Sequence, residues 1–523
     1  MNHDTDIIIA GSGHNALITA GYLAKAGKKV LVLEKNKQAG GGVITQELTA
    51  PGFKHDRHST AHVFIQANPL ILNDELELKS KFGLEYIYPE VMFATIYDDH
   101  RSLITYQSVE KTCESIAQFS KKDADTYRVF VKRCQTILPM LVAGMFVPPA
   151  PLGTFIALLD QSSEGREIFA SLQKSVFDIV NEWFEDDRIK IHLLKFTSEA
   201  LAAPEEKGTG LNLFLMAGFV HKYYPGLPVG GSGALSESLI RCIQHYGGEI
   251  RTSSEVTRVI TEQGKAIGVR LDNGEEILSN DSVVGTFHPE LLENLVDDLP
   301  NTVIDEINKL QPSSFSCMNT HYAINKPLEF HAGGEAHKAL LLELVPSNLE
   351  TFRRTFDSYK YNEIPQHHAM VAAMHSNHDA SRAPEDCTSL YLYAFMPFNI
   401  NQQSAEHWDD LKTEVADQLL KEFKHYASNF TDDSILARHV DSPMDMLRHS
   451  SSYQHGDIHG TGPFIYQFGG HRPTPSLSNY RVPGVENLFL VGPFMHPGGG
   501  VFGGGRATAV RVFEDLNIDW NYQ

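Results

Sequence analysis

Short apolar runs that end at a glycine or an acidic residue characterise the start of the chain. The run DIIIA at residues 6–10 stops at a glycine, and the run KVLVL at residues 29–33 ends on Glu34. Between them, apolar residues recur at helical spacing over residues 17–24. Apolar runs without alternation indicate strands that are buried on both faces, as in a parallel sheet. The pattern therefore predicts a strand–turn–helix–strand unit of about 30 residues, the length typical of such units.

The turn of this unit has the spacing of a dinucleotide-binding motif. Gly11 permits a tight turn, Gly13 lets the backbone approach a pyrophosphate, and Ala16 keeps the helix close to the strand. The helix N-terminus offers free N–H groups and the positive end of its dipole to phosphates. Glu34 can accept hydrogen bonds from a ribose diol. The unit predicts a dinucleotide site but does not distinguish FAD from NAD.

The far end of the chain repeats this arrangement. Residues 487–491 form another apolar run that ends at Gly492, followed by a glycine-rich tract and a helical pattern over residues 502–516. A second helix N-terminus at the same sheet edge suits a flavin ring, because the N1–C2=O edge of the ring gains negative charge on reduction. A nicotinamide enzyme does not need this second tract. FAD is therefore the predicted cofactor.

Helical and strand patterns alternate between the two ends. Helices are predicted over residues 108–119, 123–137, 178–195, 234–246 and 408–426, and β-rich runs over 249–251, 255–260, 266–271, 275–277, 282–285, 370–374 and 389–395. The strands from 249 to 285 can add to the first sheet. The sequence predicts an α/β fold. Its Rossmann-type FAD-binding domain is discontinuous in sequence (1–75, 220–300 and 484–523), and a second, α+β substrate domain takes 76–219 and 301–483.

The segment at residues 136–159 contains no charged residue. Its length would allow it to span a bilayer, but its prolines and glycines would break such a helix and leave polar backbone groups in lipid. A transmembrane helix is therefore not expected. Two interpretations remain open: two short buried helices with a proline-rich link, or an apolar lip that faces a greasy substrate or a membrane surface.

Size and charge limit the class of protein. A chain of 523 residues is expected to form two or more domains. The 44 basic and 65 acidic residues give a formal charge of -21, which argues against nucleic acid as a partner and against a basic membrane-docking surface. A small-molecule substrate remains compatible with this charge.

Cysteine usage and the N-terminus indicate the compartment. The 5 cysteines include no CxxC pair and no zinc-type spacing, so a redox dithiol is not expected. The N-terminus has no basic region before its short apolar run, which is unlike a signal peptide. We expect a cytoplasmic protein, with peripheral membrane contact as the alternative.

No catalytic base stands out among the 25 histidines. Histidine is the usual proton acceptor near neutral pH. The first candidates for a catalytic base are His58 and His496, and the others are His62, His455 and His459. A metal site at His455, Asp457 and His459 is not predicted, because the neighbouring glycines argue against a helix that would present them together. Gln467 and Arg472 precede the last glycine tract and are candidates to face the substrate.

Several motifs occur in the order found in one known family. They are the N-terminal unit, the Gly40-Gly41 doublet, GFKHD at residues 52–56, PVGG at residues 228–231 with the strands after it, and the segment from residue 487 to HPGGGV at residues 496–501. With these motifs the chain resembles the phytoene-desaturase-related FAD oxidoreductases. Within that group it is most similar to bacterial β-carotene ketolases and to pyridine-nucleotide-disulphide-oxidoreductase-domain proteins.

The resemblance implies a Rossmann-type FAD domain, a substrate domain and a set of cofactor contacts. The predicted cofactor-binding residues, from the motifs and the resemblance together, are Gly11, Ser12, Gly13, Asn15, Ala16, Glu34, Lys35, Gly41, Gly42, Ser59, Val256, Gly492, Pro493, Pro497, Gly498, Gly499, Gly500 and Val501. Many relatives have an arginine after the glycine doublet, where this chain has Gly42 and then Val43. The amine-oxidase branch usually has an aspartate at the position of Pro493, so Pro493 favours the desaturase branch.

Three functions remain open at this point. The first is an FAD-dependent desaturase or oxidase of an apolar isoprenoid, including carotenoid ketolation. The second is oxidation of a small polar metabolite or an amine. The third is a non-catalytic binder of prenylated proteins, of the GDP dissociation inhibitor type, which the intact phosphate turn and the C-terminal glycine tract disfavour.

Overall fold

The computed structural model describes residues 4–297 and 299–521. The strands in these ranges are β1 (Ile7–Ala10), β2 (Val30–Leu33), β3 (Thr45–Gln46), β4 (His55–Asp56), β5 (Tyr86–Ile87), β6 (Val91–Tyr97), β7 (Ser102–Tyr106), β8 (Leu227–Pro228), β9 (Glu249–Arg251), β10 (Val256–Glu262), β11 (Lys265–Leu271), β12 (Glu276–Leu278), β13 (Ser282–Gly285), β14 (Ser316–Ile324), β15 (Leu341–Val345), β16 (Met370–Ala373), β17 (Thr388–Met396), β18 (Ile435–Asp441) and β19 (Leu488–Leu490).

The helices join these strands in an α/β arrangement. They are α1 (His14–Lys25), α2 (Pro69–Leu72), α3 (Val109–Ala117), α4 (Lys121–Met145), α5 (Leu152–Leu159), α6 (Ser163–Gln173), α7 (Val176–Trp183), α8 (Asp187–Ser198), α9 (Gly210–Tyr223), α10 (Gly233–His245), α11 (Leu292–Leu295), α12 (Asn301–Ile307), α13 (Leu349–Lys360), α14 (Trp408–Tyr426), α15 (Pro443–His449) and α16 (Gly505–Asp515).

A five-stranded parallel sheet brings the two ends of the chain together. Its order is β19-β13-β1-β2-β9, and Ile8 of β1 pairs with Leu31 of β2 and with Val283 of β13. All four residues of β1 are buried, as expected of a parallel strand covered on both faces. Because parallel strands have their carboxyl ends at one edge, the glycine tracts after β1 and β19 meet there.

Helices α1 and α16 lie against each other at this edge. The Gly505 N–H donates to Asn15 Oδ1 at 3.3 Å, and Thr19 Oγ1 donates to the Gly505 carbonyl at 2.8 Å. A Cβ on Gly505 would lie 1.9 Å from the Asn15 carbonyl oxygen. The small residue at position 505 thus permits a close contact that fixes the first and last helices relative to each other.

A second, seven-stranded sheet forms the other half of the molecule. Its order is β18-β14-β17-β16-β15-β6-β7. Most of its pairs are antiparallel, but β15 and β6 are parallel. One apolar cluster joins this sheet to α14, and another joins its other side to the helices from α3 to α9. The predicted domain bounds remain a prediction, and the one at 219/220 falls within α9.

A buried ion pair connects the halves. Arg382 donates to both carboxylate oxygens of Asp56, at 3.0 and 2.6 Å, and both side chains are only 1% exposed. Asp56 also accepts hydrogen bonds from the Ser232 N–H at 2.8 Å and the Thr45 hydroxyl at 2.7 Å. Burial alone would raise the pKa of Asp56, but the charge of Arg382 and contacts with Arg382 and His375 hold it well below its ordinary value.

The structure corrects three sequence-based expectations. Strands β10, β11 and β12 form a separate three-stranded sheet, so only β9 and β13 extend the first sheet. The helix predicted over residues 178–195 is two helices, α7 and α8, because the chain is extended at Phe184 and Asp186 caps the second helix.

The third correction concerns residues 136–159. Helix α4 continues through Pro139 to Met145, so the first short helix expected here is the end of a long one. Helix α5 is not buried, because Leu159 is its only fully buried residue. None of the helices in the described ranges is long and apolar enough to cross a bilayer.

Candidate cofactor and substrate site

One continuous cavity of about 680 Å³ lies between the parallel sheet and the seven-stranded sheet. Every residue of the predicted cofactor-binding set lines it, and so do His58, His459 and His496. The two glycine tracts, far apart in sequence, therefore share one space. This volume is within the usual range for ligand pockets.

The first glycine turn is shaped by contacts on one side and open on the other. Gly11 has a φ of 97°, and a Cβ there would lie 2.0 Å from Thr286 Oγ1. A Cβ on Gly13 would meet no protein atom within 4 Å. Gly13 also precedes α1, and no side chain caps the first turn of that helix. The open side of Gly13 and the uncapped N–H groups together suit a phosphate group.

Glu34 lies beside this turn and stabilises it. Its carboxylate is buried and accepts hydrogen bonds from the Ser12 N–H at 3.0 Å and the Ser12 hydroxyl at 2.6 Å. Its other oxygen accepts from the Asn36 N–H at 2.8 Å. Because a carboxylate has about four lone-pair sites, Glu34 retains capacity for a further donor from the cavity.

The glycine doublet brings a second loop into contact with the first turn. Gly41 has a φ of 60°, and a Cβ there would lie 2.8 Å from the Gly13 Cα. A Cβ on Gly42 would lie 1.9 Å from the Tyr453 hydroxyl oxygen. Position 41 therefore requires glycine, whereas a side chain at position 42 would require Tyr453 to move. Ser59 contacts this loop through its N–H, which donates to the Gly42 carbonyl at 3.3 Å.

The C-terminal tract lies against residues 459–472. A Cβ on Gly499 would lie 2.2 Å from the His459 Cα and Cβ atoms, and Gly498 and Gly500 have φ values of 139° and 91°. The tract therefore exposes backbone, rather than side chains, to the cavity. Helix α16 begins after it, and its first N–H donates to Asn15 Oδ1.

Arg472 is a buried cation beside this tract. Among the described residues, its guanidinium donates to backbone carbonyls alone, including those of Met495 at 3.3 Å, Thr461 at 3.2 Å and Pro493 at 3.0 Å. Burial lowers its pKa to about 10, so it stays charged at neutral pH. A positive charge here favours an anionic or electron-rich group in the adjoining cavity.

Several buried polar atoms on the cavity wall have no partner among the described residues. They are His14 Nε2, His58 Nε2, His496 Nδ1 and Thr461 Oγ1. Buried polar atoms normally have hydrogen-bond partners. The open face of Gly13 and the uncapped start of α1 fit a large polar cofactor that occupies this part of the cavity.

The histidines of the cavity are neutral. Burial lowers the pKa of His14 and of His496 to about 4, and burial together with His449 holds the pKa of His58 well below its usual range. His496 Nε2 lies 2.8 Å from the Gly144 carbonyl, which can only accept, so its Nδ1 is the unprotonated nitrogen. The same argument leaves Nε2 of His459 unprotonated, because its Nδ1 lies 3.2 Å from the Ala200 carbonyl.

The other histidine candidates lie outside the cavity. His62 lies between Tyr86 and Ser232, at 2.9 and 2.7 Å. His455 forms an ion pair with Glu290, whose hydrogen bond raises the pKa of the imidazole. Within the described ranges, no group of three or more His, Cys, Asp or Glu side chains is placed to hold a metal ion.

Beyond the histidines the cavity becomes an apolar chamber. Phe64, Phe93, Leu215, Met216 and Leu341 are among its wall residues. Residues between Met140 and Phe155 also line it, in a segment that reaches the surface at exposed Val147 and Leu158, and we call this segment its outer end. The polar side chains in this part include Glu199, Asn212, Tyr391, Tyr393 and Gln467. Gln467 binds the backbone of Gln311 and does not point into the chamber as a free group.

Glu199 was not among the residues singled out from the sequence. One carboxylate oxygen accepts from Lys195 Nζ and the other from the Tyr393 hydroxyl. Lys195 is fully buried, with its ammonium 4.5 Å from the centre of the Phe395 ring. The only sequence signal is a lysine and a glutamate four residues apart in an otherwise apolar stretch, a spacing that usually marks an exposed pair.

The chain matches a family model over most of its length. The model for flavin containing amine oxidoreductases matches residues 17–512. The chain is 28% identical to pyridine nucleotide-disulfide oxidoreductase domain-containing protein 2 of Rattus norvegicus, over 99% of this chain and 94% of that protein. It is 24% identical to a limonene dehydrogenase subunit of Castellaniella defragrans, over 98% of this chain and 96% of that subunit. It is also 24% identical to a lycopene-forming phytoene desaturase of Pantoea ananas, over 97% of this chain and 99% of that enzyme.

Solved structures show the same fold at lower identity. An oxidoreductase from Methanosarcina mazei has a TM-score of 0.61 at 15% identity, covering 98% of this chain and 100% of that one. Cyclohexylamine oxidase from Brevibacterium oxydans has a TM-score of 0.59 at 16% identity, covering 98% and 100%. At these identities the likeness concerns the fold alone.

Proposed function

Because this chain belongs to the flavin containing amine oxidoreductase family, we propose that it is an FAD-dependent desaturase or oxidase of an apolar, isoprenoid-like substrate. The family and the named relatives confirm the resemblance, the FAD cofactor and the oxidoreductase class predicted from the sequence. The non-catalytic alternative is therefore set aside.

The observation that carries the proposal is the continuity of the cavity. The part lined by the two glycine tracts opens directly into the apolar chamber. A substrate in the chamber would therefore lie next to whatever the tracts hold. Bound FAD supplies a hydride acceptor at N5 of its ring. The protein needs to position a C–H bond against that ring and keep water out.

We assign the two ends of the FAD site from the geometry of the tracts. The N-terminus of α1 and the open face of Gly13 would hold the diphosphate, and Glu34 would bind the ribose. The backbone of residues 497–501 would lie along the flavin ring. The N-terminus of α16 and the charge of Arg472 would stabilise negative charge on that ring.

The chamber walls support an apolar substrate. Aromatic and aliphatic side chains such as Phe64, Phe93 and Leu341 line most of it, and burying an apolar ligand against them is favourable by about 25 cal/mol per Å². Two relatives carry names that refer to hydrocarbons, a limonene dehydrogenase subunit and a phytoene desaturase. Both support oxidation of an isoprenoid.

A proton acceptor is needed if a C–C bond is desaturated, because a hydride and a proton then leave the substrate. His459 is the best-placed histidine, since its ring packs against Gly499 and its Nε2 is unprotonated. His496 Nδ1 is also unprotonated, but it is buried away from the cavity surface. We propose that His459 Nε2 holds the proton, and we assign no such role to His62, His455 or His496.

Peripheral membrane contact is suggested by the outer end of the chamber. Three apolar side chains there are exposed: Val147 by 38%, Leu158 by 51% and Tyr466 by 53%. The segments that carry them touch, because Phe155 and Phe468 have ring centres 6.0 Å apart. An apolar surface at a chamber entrance suits a substrate that arrives from a membrane.

Oxidation of an amine is the second candidate, and Glu199 is the observation that favours it. A carboxylate on the chamber wall can bind an ammonium group. The named structural neighbours include an amine oxidase, but at that identity they support only the fold. The apolar walls make this the weaker candidate.

Anaerobic reduction of the bound flavin tests the proposal. Protein loaded with FAD would be mixed, without oxygen, with linear isoprenoids and, separately, with primary amines. We expect the absorbance of oxidised flavin to bleach with at least one isoprenoid and with none of the amines. Bleaching by amines alone would replace the proposal with the second candidate.

A further inference from the structure

We propose that Glu199 binds a hydroxyl group near the reacting end of the substrate, so that the substrate is an apolar molecule with a neutral hydrogen-bond donor rather than a plain hydrocarbon. This inference rests on the proposed function and specifies the substrate further. It concerns a residue outside the cofactor-binding set.

The position of Glu199 places it where the cofactor part of the cavity meets the apolar chamber. Its neighbour Ala200 contacts the His459 imidazole through its carbonyl, at 3.2 Å. The His459 side chain in turn packs against Gly499 of the last glycine tract. Ala200 and the His459 side chain thus connect Glu199 to the tract assigned to the flavin ring.

The carboxylate of Glu199 has unused acceptor capacity that faces the cavity. Each of its oxygens takes one donor, from Lys195 or Tyr393, and a carboxylate can accept about four. Its side chain is 20% exposed, and the exposed part lies on the cavity wall. A hydrocarbon bound here would remove water from the carboxylate and return no hydrogen bond, which is unfavourable. A hydroxyl group would replace the lost water.

The charges around Glu199 favour a neutral donor over an ammonium group. Lys195 already balances the carboxylate in a direct, buried ion pair. Burial raises the pKa of the neighbouring Glu343 to about 8, so Glu343 is mostly protonated at neutral pH. An incoming ammonium would therefore add a positive charge with no free partner, and a buried unpaired charge is costly.

Three matched ligands test the inference: farnesol, its hydroxyl-free counterpart farnesene, and farnesylamine. Their dissociation constants for the FAD-loaded protein would be measured from the change in the flavin absorption spectrum. Because a hydrogen bond to a charged group is strong, we expect farnesol to bind about tenfold more tightly than farnesene. We also expect farnesol to bind more tightly than farnesylamine.

Two variants connect that preference to Glu199. In Glu199→Leu the preference for farnesol over farnesene should disappear, with farnesene bound at least as tightly as by the wild type. Since that change leaves Lys195 unpaired, the double variant K195M/E199L removes both charges and should also lack the preference. Glu182→Gln, a change at an exposed glutamate on α7, is the matched control and should keep it.

The outcomes separate this inference from the proposed function. Equal binding of farnesol and farnesene by the wild type, a preference for farnesylamine, or a farnesol preference retained in both Glu199 variants would each overturn the role of Glu199. If the FAD-loaded protein binds none of the three ligands, the proposed isoprenoid function fails, and this inference fails with it.

Discussion

The hydroxyl of Tyr453 occupies the space into which any side chain at position 42 would extend. A Cβ built on Gly42 would lie 1.9 Å from the Tyr453 hydroxyl oxygen. Tyr453 itself is buried and lines the cavity beside the glycine doublet. A side chain at position 42 therefore requires Tyr453 to move.

The contact predicts the effect of adding a methyl group at position 42. Gly42→Ala should destabilise the protein by about 1–3 kcal/mol, as overpacking of a buried site does, and should weaken FAD binding because Tyr453 must move. Thermal unfolding and FAD titration measure the two effects. The double variant G42A/Y453A should recover part of the loss, and an additive double variant would show that the two residues do not interact.

A methyl group at Gly13 should affect the cofactor but not the fold. A Cβ there meets no protein atom within 4 Å, and the backbone conformation, φ -58° and ψ 154°, suits alanine. We expect Gly13→Ala to leave the unfolding temperature of the apoprotein unchanged and to raise the dissociation constant of FAD about tenfold. Gly153→Ala, on exposed α5 and equally free of contacts, is the control. Unchanged FAD affinity in Gly13→Ala would mean that the diphosphate lies elsewhere.

How much of this site could be predicted depended on whether its signals were local. Gly13 and Gly492 follow the ends of β1 and β19 by three and two residues, so the spacing predicted that both tracts line one site. Lys195 and Glu199 gave no such signal, because their burial comes from Tyr393 and Phe395 on a strand far along the chain. Sequence periodicity cannot distinguish an exposed pair from one that a distant strand covers.

The course of the chain near the chamber entrance was mispredicted for a related reason. Pro139 was expected to interrupt the helix, but α4 continues through it. Packing against α3 and α9 stabilises α4 along its length, and tertiary contacts of this kind commonly override a local helix-breaking tendency. The exposure of α5 contradicts the interpretation with two short buried helices. The apolar lip stays a prediction.

The Asp56–Arg382 pair should make the free energy of unfolding fall at acidic pH. The folded pKa of Asp56 lies below its unfolded value of about 4. Its contribution to stability is therefore fully present above about pH 4 and is lost as the pH falls toward the folded pKa. The free energy of unfolding would be measured from pH 7 to pH 3. Below about pH 4 it should fall less steeply in Asp56→Asn than in the wild type.

Arg382 provides the complementary test. Arg382→Met leaves the Asp56 carboxylate buried without its partner and should cost about 3–5 kcal/mol at pH 7. Asp272→Asn, at an exposed turn, should change neither the stability nor its pH dependence. If Arg382→Met proved as stable as the wild type, the pair would not hold the two halves together as described.

The exposed apolar surface at the chamber entrance predicts membrane binding. Leu158 is 51% exposed on α5. Replacing it with glutamate should reduce sedimentation with phospholipid vesicles, by about tenfold in the binding constant, because an apolar anchor is lost and a charge added. Leu436→Glu, at a leucine that is 55% exposed on β18, should bind vesicles like the wild type. Equal loss in both variants would show that the effect is not specific to the entrance.

A crystal structure of the protein with FAD would show whether the two glycine tracts hold one cofactor beside the apolar chamber. We predict density for one FAD in the cavity, with the diphosphate against residues 11–13 and the flavin ring along residues 497–501, facing the chamber. Density for the ring away from the C-terminal tract, or a wall that separates the ring from the chamber, would contradict this assignment.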